Sequence, residues 1–131
     1  MQYGEPYSMG TAETTNYANL DVGLAVEAAR RGVVFTDEDM RRFVNTWLRV
    51  MWNQDEENPM MASAVDGRKP YRFSPLQDGM AQLAQWDIKV YELALKAFLA
   101  GDENARVGWG PAILLAAKRA GVELPGLASP R

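Results

Sequence analysis

Residues 35–51 read FTDEDMRRFVNTWLRVM, and this stretch decides the fold. Met40, Phe43, Val44, Trp47, Leu48 and Met51 fall at i, i+3, i+4, i+7, i+8 and i+11, the spacing of a single apolar helical stripe. Arg41, Arg42, Asn45 and Arg49 take the other side. The start of this helix is marked as well. Thr36 suits the N-cap position with Asp39 three residues on, and Asp37, Glu38 and Asp39 complement the positive end of the helix dipole. Phe35 and Met40 stand at the spacing of a hydrophobic staple.

Upstream, Ala, Leu and Val dominate residues 18–31 and fall on more than one face, which predicts a helix buried on most sides. Gly32 fits the C′ position, with Arg30 and Arg31 near the negative end of the dipole. The connection to the next helix is short, so the two should form an antiparallel hairpin. Downstream, SPLQ at 74–77 reads as a capping box with Pro75 at the first helical position, opening one long helix over 74–100 that stops at Gly101-Asp102. Its apolar residues make two faces, one with Met80, Leu83, Ile88, Tyr91 and Phe98, the other with Trp86, Val90 and Leu93. Asp87 interrupts them, and a buried carboxylate there would need an arginine partner or a solvent-filled groove. A fourth helix is expected from Gly110-Pro111 to Gly121, which leaves Trp109 in a glycine-rich turn.

Residues 53–73 form a connection too long to be structureless without a reason. MMASAV could be a short helix or strand, and DGRKPYRF a turn followed by an extended piece. The segment gathers Asp66, Arg68, Lys69, Tyr71 and Arg72, so it either shapes a site or covers one edge of the bundle. The expectation is one all-α domain over 1–131 with four main helices in two antiparallel hairpins. Residues 1–16 are taken as an N-terminal extension and 122–131 as a tail.

Composition narrows the function classes. The chain is 47% hydrophobic and 24% charged, with a net charge of −3, so no excess of cations is available to neutralise nucleic-acid phosphates. Cysteine and histidine are both absent. That removes thiolate chemistry, the usual neutral-pH base and the commonest transition-metal ligands, so no metal or cofactor is expected. The acids of QDEENP at 54–59 match no calcium-binding loop and read as a solvated turn. No stretch reaches the length of a membrane span, and MQYGEPYSMG lacks the regions of a signal peptide, which makes the cytoplasm the default expectation.

NYANLDVGLAVEAARRGVVFTDEDMRRFVNTWLRVMW at 16–52 and GWGPAILLAAKRAG at 108–121 resemble helices of α/α-toroid proteins of the polysaccharide lyase and uronyl-epimerase kind. Such sequences place Ser-His before Ala-Asn-Leu-Asp-Val; here Asn16 and Tyr17 stand in those places, so any chemistry contributed by that histidine is lost. The resemblance implies part of a toroid and an oligosaccharide or uronate ligand. In a β-elimination, Asn16 or Asn19 would quench the uronate carboxylate with help from Arg68 or Arg72, and Tyr17 would take the proton. A phenol with a reference pKa near 10 can do so only beside a cation. The simpler reading is that Asn16 caps the helix while Tyr17 packs its ring and exposes its hydroxyl.

Flat indole faces stack on sugar rings. Trp47 and Trp86 fall within helices and are expected in the core, which leaves Trp52 and Trp109 as the better ligand platforms. The rival to a carbohydrate-related domain is a non-enzymatic interaction module, its doubly apolar helices completed by self-association, by a partner or by the rest of a parent chain.

Overall fold

A computed structural model describes residues 12–123. The described part is mostly helical, in the order α1 (Thr15–Arg30), α2 (Asp37–Thr46), β1 (Met61–Ala62), β2 (Tyr71–Phe73), α3 (Asp78–Ala81), α4 (Ile88–Ala100) and α5 (Glu103–Arg119). α2 runs on into a π-helical turn, Trp47–Met51, and α3 into a 3-10 turn, Gln82–Gln85. No helix among the described residues is long and apolar enough to cross a membrane.

The helix ends follow local chemistry. Thr36 Oγ1 accepts from the Asp39 amide at 3.2 Å while Asp39 Oδ2 accepts from the Thr36 amide at 3.0 Å, the reciprocal pair of a capping box. Gly32 and Gly121 follow α1 and α5 with φ of 67° and 73°. In each case the next residue's amide reaches back five residues in the pattern of a Schellman cap, Val33 to Ala28 and Val122 to Ala117. Phe35 packs edge-on to Phe43 with centroids 6.1 Å apart.

The third expected helix is three pieces. Gln77–Gln85 forms a short, mostly buried bend that touches α1, α2, α4 and α5. The helix then restarts at Asp87, whose backbone is extended and whose Oδ1 accepts from the Lys89 amide at 2.9 Å. Asp87 is therefore an N-cap; it neither pairs with a loop arginine nor sits as a buried charge. Ser74 likewise caps no long helix: its hydroxyl accepts from the Leu76 amide in a local turn.

α5 also begins earlier than expected. Asp102 caps it, accepting from the Ala105 amide at 2.8 Å, and Pro111 lies inside the helix. A proline there removes the bond to the Val107 carbonyl, and both residues are exposed, so water can satisfy that oxygen. Trp109 is thus a helical residue and not part of a turn. At the other end, Thr15 and Asn16 belong to α1, so the extension is shorter than 1–16. Residues 1–11, and 124–131 of the expected tail, lie outside the described residues.

The long connection covers an edge. β1 and β2 pair antiparallel with an irregularity between Met61 and Ala62. The first turn of α1 is stitched to them: the Thr15 hydroxyl donates to the Ala62 carbonyl at 2.6 Å and its amide to the Ser63 carbonyl at 2.9 Å. The acidic turn is held against α4, with Glu56 paired to Lys89 at 2.5 Å and its carbonyl accepting from Lys96.

Side chains from all these elements meet in one core, with Met40, Trp47, Met61, Met80, Leu83 and Leu93 fully buried. α1 crosses the central bend at Gly23 and Gly79. A Cβ on Gly23 would lie 3.2 Å from the Gly79 Cα, and one on Gly79 would collide with the Asn19 carbonyl oxygen. Gly79→Ala should cost about 2 kcal/mol or more, because backbone must move to admit the methyl group. Urea unfolding measures it, with Gly108→Ala as the control in open space.

Hydrogen bonds from the Thr36 amide and then its hydroxyl hold the Asp39 carboxyl below its ordinary value of 3.8. Its contribution is complete above that value and is lost as pH falls through the depressed folded value. Melting temperatures from about pH 5 down to about pH 2.5 should therefore fall more steeply in the wild type than in Asp39→Asn.

Candidate functional site

A groove of about 430 Å³ has α1 and α5 as walls and the central bend as floor. Glycines line it on each element: Gly23, Gly79 and Gly108. Their missing side chains bring backbone to the surface and leave room, and nothing approaches within 4 Å of a Cβ placed on Gly108. Trp109 contributes an indole that is half-buried against the core.

Four polar side chains share this groove: Glu27 from α1, Asp78 and Gln82 from the bend, and Arg119 from α5. Arg119 Nη2 meets Glu27 Oε1 at 2.5 Å, and its Nη1 lies 3.4 Å from Gln82 Oε1. Gln82 Nε2 donates to the Asp78 and Ala112 carbonyls, each at 3.1 Å. The Arg119 side chain is only 10% exposed, and its buried Nε has no hydrogen-bond partner. An unpaired buried donor on a guanidinium is costly. The arrangement offers an indole, two carboxylates, an amide and a guanidinium, all planar groups that are fixed by neighbours.

A second cavity, of about 250 Å³, lies between α1, α2 and the bend, lined mainly by buried apolar side chains and by Glu13 and Asp21. Partial desolvation first, and then the neighbouring Asp21 carboxylate, push the Glu13 pKa up.

The residues nominated from sequence do not form one site. Tyr17 is 62% exposed on the outer side of α1, ring included, and no hydrogen bond or cation contact engages it among the described residues. Asn16 lies beside it in the helix, where its Oδ1 accepts from the Thr14 hydroxyl at 2.9 Å; it does not cap α1. Asn19 is buried and committed. Its Oδ1 accepts from the Met80 amide at 3.0 Å, and its Nδ2 donates to Asp78 Oδ1 at 2.8 Å. It supplies from α1 the cap that Gln77 does not supply to α3.

Trp52 is only 8% exposed, in the core, with the Lys89 ammonium 5.8 Å from its ring centroid. The π-helical turn accounts for this: the Trp52 amide bonds back five residues to Trp47, which widens the helix end and turns the indole inward. Arg68 is held by Asp66 at 2.7 Å, and Arg72 lies over the Phe73 ring at 5.1 Å, both on the β1–β2 side. Of the nominated residues only Trp109 lines the groove.

Glu27, Asp78, Gln82 and Arg119 carried no sequence signal of their own. Glu27 and Arg119 sit near helix ends where charge is ordinary, and their meeting spans 92 residues. Among the described residues no group of three or more carboxylates is placed to hold a metal. Comparison with protein families, with curated proteins and with solved structures gives no match.

Asn19→Ala should destabilise the fold by roughly 1–3 kcal/mol, because it strands the buried Met80 amide. Asn16→Ala, on the exposed side of the same helix turn, should change stability by less than about 0.5 kcal/mol. Chemical denaturation of the two variants separates the structural asparagine from the surface one.

Proposed function

We propose that the chain is a carbohydrate-binding helical domain, related in plan to part of a polysaccharide lyase or uronyl epimerase, with no catalysis assigned to it. The observation that carries this reading is the Trp109 groove. A sugar ring has an apolar face and a rim of hydroxyls, so it suits an indole flanked by planar polar groups. Carboxylate, amide and guanidinium edges bond paired hydroxyls, while the indole covers the ring face. A groove of about 430 Å³ is in the ordinary range for small ligands.

The site moves accordingly from the first turn of α1 to the wall of α5. Tyr17 and the loop arginines are not needed for it. A β-elimination by Tyr17 would still require a cation beside the phenol, and the described residues supply none in contact.

A binding screen against neutral and uronate oligosaccharides, read by calorimetry, tests the proposal. Trp109→Ala should weaken binding by about tenfold or more, or roughly 1.4 kcal/mol. Trp109→Phe should retain part of it, since a smaller aromatic face remains against the core. Tyr17→Phe should bind as the wild type does. Flat curves throughout the screen, or equal affinity for Trp109→Ala and wild type, would overturn the reading.

A further inference from the structure

α1 carries an apolar face that the other described residues leave uncovered. Tyr17, Leu20 and Leu24 are 62%, 65% and 71% exposed, although neighbouring Ala18, Val22 and Val26 are fully in the core. The three exposed residues are spaced i, i+3 and i+7, and Ala28 and Arg31 extend the same line at i+11 and i+14. This is the seam spacing of two packed helices, not scattered surface hydrophobicity. It lies beside the groove residues Gly23 and Glu27 but does not include them.

We infer that this face is where a second copy of the chain docks, α1 against α1 in antiparallel orientation about a twofold axis near Leu24. Two features select that occupant. The line is symmetric in position about Leu24, seven residues from Tyr17 and seven from Arg31, so an antiparallel copy presents apolar residues to apolar residues at the centre. It is also asymmetric in charge. Exposed Asp21 lies toward one end, and exposed Arg31 closes the other, with Arg30 nearby and bonded to Gln85. An antiparallel copy sets the Tyr17–Asp21 end of each helix against the arginine end of the other, placing guanidinium beside phenol ring and carboxylate. A parallel copy would place like charges together. The same surface serves both partners, as a twofold interface requires.

The 16 residues of α1 span about 24 Å. One helix face of that length is small beside the ~800 Å² per partner of a stable interface. The association is therefore reversible and concentration-dependent.

Sedimentation equilibrium on the full chain, over about two decades of concentration, should show a monomer–dimer equilibrium. Leu24→Glu should remain monomeric with an unchanged helical spectrum and melting temperature, because Leu24 makes no core contact to lose. The natural chain has no cysteine, so Leu24→Cys introduces a single thiol. It should form a covalent dimer under mild oxidation, while the equally single thiol of Glu103→Cys should not. Arg31→Glu should weaken dimerisation at least about tenfold. Adding Asp21→Arg to it should restore association, which tests the orientation. A monomeric mass at every concentration, a dimer indifferent to Leu24→Glu, or no restoration by the charge swap would overturn the inference. None of these outcomes depends on the oligosaccharide screen.

Discussion

The structure depends on one close approach, where the backbone of α1 passes over the central bend at Gly23 and Gly79. Two glycines allow the helix axis to come nearer than any pair of side chains would permit. Asn19 then uses that proximity, bonding the Met80 amide and the Asp78 carboxylate from a position one turn earlier. The bend is too short to be stable alone, since a helical turn of four residues lacks the propagation that repays nucleation. It holds its shape because α1 caps it and because helices on several sides bury Met80, Ala81, Leu83 and Ala84. Everything else is arranged around it: α1 and α2 on one side, α4 and α5 on the other, and the β1–β2 segment stitched to the first turn of α1.

That arrangement also explains the groove. α1 and α5 both lean on the bend without packing tightly on each other, and the glycines keep the floor low. Glu27 and Arg119 bridge the gap as an ion pair, half in solvent on the glutamate side. Such a pair contributes little by itself to stability. Its effect here is positional, since it fixes a guanidinium within reach of Gln82 and of the open space above Asp78. The polar character of the groove is thus a by-product of how the two halves are joined.

The polar residues before the first helix show how a site and a scaffold can look alike in sequence. Asn16, Tyr17, Asn19 and Asp21 are adjacent in the chain but face different surroundings once wound at 3.6 residues per turn. Asn19 turns inward to the bend, Asp21 lines the smaller cavity with Glu13, and Asn16 and Tyr17 face outward. Trp52 and Trp109 exchange roles for similar reasons. The π-helical turn carries Trp52 into the core, and the early start of α5 at Asp102 brings Trp109 onto a wall.

The sequence by itself determined what is local. The capping box at Thr36, the glycines that end α1 and α5, the core stripe from Met40 to Met51 and the mostly helical character are all set within a few residues, by backbone geometry and by hydrophobic spacing. It also showed that the chain lacks the nitrogen and sulfur side chains of most metal and nucleophilic sites. Tertiary structure alone decided where continuous apolar patterns break, because burying Met80, Leu83 and Ala84 in a short bend leaves Asp87 to restart the helix as its cap. It alone decided which polar groups are committed and which are free, since Asn19 meets Met80 across 61 residues and Arg119 meets Glu27 across 92. Such meetings depend on long-range packing around two glycines, and no window of sequence contains both partners.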